Sequence, residues 1–271
     1  MKKLLGFLVV AMLVIIVAVP ACGEMLNIGD YTVVSEIKLQ QLTSSILLND
    51  GTFLLTGMSD NAGVCFLLDQ RGSLIHQYRI DALKSTHSTT VRGAALIGEN
   101  IIATVYDYVS NTSFIAVISL AGNITITEDF GGEIEAVTPL ESGMLVCGSY
   151  YYKQKKQVPW AAKVGKKGEY EWVFEGEANQ VDAPGFLKHF EFCTEYASEY
   201  VLLQHEALGY PNGNVYTMIR LTKDGTPIFR ENINLPKMEF GCNFSNIIVN
   251  KETLILYGGI CTSNYQYVAT A

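Results

Sequence analysis

Short apolar runs alternate with breaks rich in glycine and asparagine along this chain, and the pattern recurs five times after an apolar N-terminus. The cores of the runs are Phe53-Leu-Leu-Thr-Gly57, Ile101-Ile-Ala-Thr-Val105, Met144-Leu-Val-Cys-Gly148, Tyr200-Val-Leu-Leu-Gln204 and Leu254-Ile-Leu-Tyr-Gly258. Their spacings are about 48, 43, 56 and 54 residues, the range in which one repeat makes one four-stranded propeller blade. Each unit reads as strands a, b, c and d, with the run above as strand b.

Strand c then falls at 64–69, 113–119, 160–164, 216–221 and 265–271. The first four c strands close in glycine turns, at Gly72, Gly122, Gly168 and Gly225, where glycine supplies the positive φ of a tight hairpin. Strand d follows at 73–80, 123–129, 169–174 and 226–233. The fifth unit has no d strand after 265–271, while a spare strand, Tyr31-Thr-Val-Val-Ser-Glu-Ile-Lys-Leu39, precedes the first a strand. The expectation is an all-β, five-bladed β-propeller over residues 31–271. In it the N-terminal strand pairs with 265–271, completes the last blade and removes an open sheet edge. A piece of a ring of six to eight blades is the competing reading.

Two c-turn-d segments, Phe66-Leu-Leu-Asp69-Gln-Arg-Gly72-Ser-Leu-Ile-His76 and Gly168-Glu-Tyr-Glu-Trp172, resemble the repeats of pyrroloquinoline-quinone-like β-propellers. Those repeats place a Leu-Asp pair, a turn glycine and a tryptophan at this spacing. Here the aspartate is kept in the first repeat and the tryptophan in the third. The resemblance implies a propeller over about 240 residues. It does not carry over the quinone, and no cofactor is expected.

With 49% hydrophobic and 17% charged residues in 271, the chain can bury a large core and is not of disordered composition. Its formal charge of −8 excludes a phosphate-backbone binder, which needs clustered Lys and Arg. Met1-Lys2-Lys3 followed by the apolar run 4–19 reads as an export signal, somewhat short for a membrane span. Val19-Pro20-Ala21-Cys22-Gly23 then resembles a bacterial lipobox, in which the cysteine is acylated. Residues 1–21 would be the signal and 22–30 a tether. Pro20 and Val19 depart from that motif, and Val19-Pro20-Ala21 equally satisfies an ordinary signal peptidase; an uncleaved anchor is the third reading. The protein is expected outside the cytoplasm, anchored to the membrane by lipid on Cys22 or secreted.

No residue set announces a reaction. There is no nucleophile elbow, no phosphate loop, and no metal-ligand spacing among His76, His87, His189 and His205. Cys65, Cys147, Cys193, Cys242 and Cys261 lie in or beside apolar strands as free thiols, with Cys242 and Cys261 placed so that they could pair. What stands out is the b–c loops, rich in Tyr and Asn. They carry Tyr106, Asp107 and Tyr108; Tyr150, Tyr151 and Tyr152; His205, Glu206 and Tyr210; and Tyr265. Such loops on one face of a rigid scaffold suit recognition; the plainer reading is that the tyrosines cover the blade ends. The expected function is a monomeric binding or assembly module for a protein or glycan of the cell envelope, without catalysis. The alternative is a secreted carbohydrate-active enzyme using channel-mouth carboxylates, with Glu135, Asp107 and Glu206 as candidates.

Overall fold

The computed structural model describes residues 37–81, 88–130, 132–152, 156–178, 187–207, 214–233, 242–250, 253–261 and 267–270. Among them there are only strands and turns. The first sheet is β1 (Gln41–Leu47), β2 (Phe53–Ser59), β3 (Ala62–Leu68) and β4 (Leu74–Ile80). The second is β5 (Thr89–Ile97), β6 (Asn100–Asp107), β7 (Thr112–Ser119) and β8 (Ile124–Phe130). The third is β9 (Gly132–Leu140), β10 (Gly143–Tyr152), β11 (Lys156–Gly165) and β12 (Tyr170–Glu175). The fourth is β13 (Leu187–Tyr196), β14 (Glu199–Ala207), β15 (Asn214–Leu221) and β16 (Pro227–Ile233). The last is β17 (Cys242–Asn250), β18 (Thr253–Cys261) and β19 (Tyr267–Thr270). Every sheet is an antiparallel meander in chain order, four of four strands and one of three. The apolar runs of the sequence are the second strands, and the c and d strands fall where the turns predicted them.

Side-chain alternation explains why those runs are apolar throughout. Leu54 faces the second sheet, in one cluster with Cys65, Tyr78, Ile80, Ile101, Val105 and Phe114. Its neighbours Phe53 and Leu55 face the other way, with Val64, Phe66 and Leu68. Likewise Ile101 packs on the first sheet and Ile102 on the third. A strand buried on both faces needs hydrophobic residues at both parities. Each fully buried Leu or Ile is worth roughly 1.5–3 kcal/mol of transfer free energy. The fourth strands are different: β4 and β16 are exposed along most of their length.

The first strand of each sheet packs on the first strand of the next, β1 on β5, β5 on β9, β9 on β13 and β13 on β17. Among the described residues the fourth strands reach the next sheet through a few side chains, Tyr78, Ile80, Trp172 and Phe174. Sheets that touch at their first strands and diverge at their fourth are arranged as in a β-propeller. The turns after the third strands hold Gly72, Gly122, Gly168 and Gly225 at φ of 85°, 93°, 81° and 82°.

One irregularity repeats. Each first strand carries a bulge against its second strand, at Thr43, Arg92, Glu135, Glu191 and Ser245. In the five aligned apolar runs all of these bulges fall at the same step, between the fourth and fifth residues. At Gly57 and Gly148 the accommodation is visible. A Cβ there would lie 1.9 Å from the carbonyl oxygen of Gln41 and 2.0 Å from that of Glu133.

Several expectations meet their limits here. The closing strand 31–39 falls largely outside the described residues, and 37–39 are not in a strand. The first b–c loop is shorter than expected. Met58 and Ser59 remain in β2, and only Asp60 and Asn61, both at positive φ, make the turn. Tyr150, Tyr151 and Tyr152 belong to β10 rather than to a loop. Cys65, Cys147 and Cys193 are free and buried. In the β17–β18 register Cys242 stands opposite Ile260, one step from Cys261.

Candidate functional site

Strands β13 and β14 bring His189, Glu191 and His205 together at the end of the fourth sheet where the b–c and d–a connections lie. The antiparallel register sets His189 directly opposite His205, with ring centroids 5.1 Å apart in an edge-to-face arrangement. Glu191, the bulged residue of β13, turns toward the same place, its Oε2 3.8 Å from Nδ1 of His205. One potential ligand atom from each of the three lies within 4.8 Å of the others.

The site is held firmly from behind. His205 stacks on Tyr216 of β15, rings 4.8 Å apart and 9° from parallel. Tyr216 is fully buried and meets Phe244 of β17 edge-on. Beside it Lys188 reaches Glu206 at 3.5 Å, and the Lys188 backbone N–H donates to Oε1 of Gln157, whose amide donates to the Ser149 hydroxyl. That chain of bonds ties the third sheet to the fourth.

Burial governs the protonation of the cluster. It pushes the Glu191 carboxyl up to about 7, with the negative charge of Glu135 adding to the effect. Burial lowers His189, and burial with neighbouring His189 lowers His205, opposed by a hydrogen bond that the imidazole donates to the Asn214 side chain. Both sides of the 3.8 Å contact are thus driven toward neutral forms, and 3.8 Å is too long for a hydrogen bond. Oε2 of Glu191 is buried without a hydrogen-bond partner.

Further acidic groups stand on the neighbouring inner strands. Glu133 and Glu135 of β9 are both raised, first by burial, and Arg92 of β5 acts against the rise in each. Arg92 pairs with Glu133 at 2.6 Å and lies over the Tyr106 ring. Glu135 is exposed, yet the surrounding protein still raises its carboxyl by desolvation.

The residues singled out in the sequence are distributed unevenly around this cluster. Of them His205 belongs to it, Glu206 borders it through Lys188, and Glu135 acts on it through its charge. Tyr106 is buried and donates to Asn111. Asp107 is buried, accepting from the backbone N–H groups of Val109 and Ser110. It shapes its own turn. Tyr108 is exposed and donates to Gln41 of the first sheet. Tyr150 donates to Glu175 and packs against the core between the second and third sheets. Tyr210, Tyr265 and Cys22 lie outside the described residues, as do the side chains of Tyr151 and Tyr152. Sequence reasoning missed His189 and Glu191 because their link to His205 runs across strands. The signal that was available is the spacing His189-Phe-Glu191, with Glu191 at the bulge position that recurs in the first strands.

Comparison with known proteins adds fold likeness only. No protein-family model matches the chain, and no curated protein matches it. Similar solved structures include a protein from Lactobacillus plantarum, at 10% identity and TM-score 0.49, covering 87% of this chain and 71% of that one. The β-propeller domain of the Trilobed protease from Pyrococcus furiosus, described as having an open velcro topology, is similar at 10% identity and TM-score 0.47. That match covers 82% of this chain and 64% of the other.

Proposed function

We propose that the protein is an exported five-bladed β-propeller, tethered to the membrane by lipid on Cys22, that recognises a protein or glycan of the cell envelope. It binds at the end of the sheets that carries the b–c loops. The observation that carries this reading is the character of that end. Tyr108, Val109 and Leu187 stand exposed at that end, which also carries a half-buried set of imidazole and carboxylate groups with unspent bonding capacity. Long polar residues that merely shape the fold would have been satisfied within it.

Two features support five blades in a closed ring. The three-stranded sheet carries its bulge at the same step as the four complete sheets. On the first sheet, the face turned away from the second is buried at Phe53, Leu55, Val64, Phe66 and Leu68, with Ile37 and Leu39 packed on it. A last blade completed by 31–39 would cover that face. The Gln40 N–H donates to the Met58 carbonyl at the loop end, and the a–b and c–d turns lie at the opposite end. At that opposite end Leu74, Ile75, Ile124, Ile126, Ile228 and Phe229 are exposed at the starts of the fourth strands. In a tethered protein this apolar rim would face the membrane, with the loop end outward.

Crosslinking in intact cells tests the reading, comparing the unaltered protein with a Tyr108→Ser, Val109→Ser, Leu187→Ser variant. A partner captured by the former and lost by the folded variant is the expected result; undiminished capture would remove the loop end from recognition. A carbohydrate-active enzyme is the second reading, favoured by the convergence of Glu133, Glu135 and Glu191 on the inner strands. It requires glycan hydrolysis that Glu135→Gln abolishes.

A further inference from the structure

We infer that His189, Glu191 and His205 form a binding site for a divalent transition-metal ion, with zinc as the reference ion. The inference stands on geometry and goes beyond the recognition reading, since the site can hold a metal whatever partner the loop end meets. Two imidazoles and one carboxylate are a donor set that zinc and its neighbours accept, and three protein donors leave a coordination position open. In a tetrahedral zinc site two donor atoms stand roughly 3.3 Å apart. The 3.8 Å between Glu191 and His205 is close to that, and the 4.8 Å span of all three closes by small side-chain rotations.

Three further observations point the same way. The cluster is built on paired strands, with His189 and His205 fixed by register and Glu191 delivered by the bulge. His205 is locked in orientation by its stack on Tyr216, and a ligand on rigid support loses less freedom on binding. Glu191 Oε2, the oxygen that faces Nδ1 of His205, is buried without a hydrogen bond, a cost the fold bears for no packing gain. The remaining charged neighbours do not compete. Lys188 is engaged by Glu206, and Arg92 by Glu133, while the charge of Glu135 adds attraction for a cation.

The test is titration of the folded, metal-stripped protein with zinc chloride alone, read by calorimetry and by the midpoint of thermal unfolding. The expected result is about one ion bound per chain with a raised midpoint. Glu191→Gln and His189→Gln, each checked for an unchanged circular dichroism spectrum, should weaken binding by about tenfold or more. Cobalt(II) separates this site from the thiols: nitrogen and oxygen ligation gives d–d absorption without a thiolate charge-transfer band. Absence of binding, binding indifferent to both variants, or a thiolate band would overturn the assignment.

Discussion

At the scale of single residues, the same residue type serves different ends according to which strand parity it occupies. Cys65 lies wholly inside the first interface, and burial pushes its thiol up to about 12; Cys147, equally buried beside Cys193, is raised well above the ordinary thiol value. The thiolate is the reactive form. Iodoacetamide at pH 8 should therefore leave Cys65 and Cys147 unlabelled in the folded protein and label both after denaturation, as read by peptide mass spectrometry. Rapid native labelling of Cys65 would mean that the first and second sheets separate readily. Asp107 shows the opposite lesson. It was expected to face a ligand, but two backbone N–H groups of its own turn occupy the carboxylate.

At the scale of elements, the bulge in each first strand has an energetic signature. Adding a methyl at Gly148 drives Cβ into the backbone oxygen of Glu133, which no side-chain rotation relieves. Gly122, at φ of 93° with open space around it, would meet only backbone strain. Gly148→Ala should thus cost about 1–3 kcal/mol as overpacking does, and Gly122→Ala about 1–2 kcal/mol. Urea unfolding should rank Gly148→Ala as the more damaging; the reverse order would mean the bulge relaxes. The contrast also marks what the sequence could disclose. Strand positions and glycine turns were legible because burial on two faces and positive φ each restrict residue choice locally. The His189–Glu191–His205 cluster was not, because its members meet through cross-strand register and a one-residue offset that leave no regular spacing in the chain. Tyr150 was misplaced for a related reason: a tyrosine run reads as loop until β10 and β11 are seen to pair through it.

At the scale of the whole molecule, stability is divided among interfaces between successive sheets, and in the proposed ring the buried outer face of the first sheet is where closure would occur. Deleting residues 31–39 should lower the unfolding midpoint and increase binding of a hydrophobic dye, because Phe53, Leu55, Val64 and Phe66 lose cover. Dye binding and midpoint both unchanged would argue against closure by that strand. The repeated bulge has a consequence of another kind. Each bulged position stands out of the ladder between first and second strand, so its residue is released from the pairing that constrains its neighbours. Thr43, Arg92, Glu135, Glu191 and Ser245, five polar residues of four types, occupy equivalent places. Such a scaffold can be re-addressed one position at a time, changing what the axis attracts without redesigning the blades.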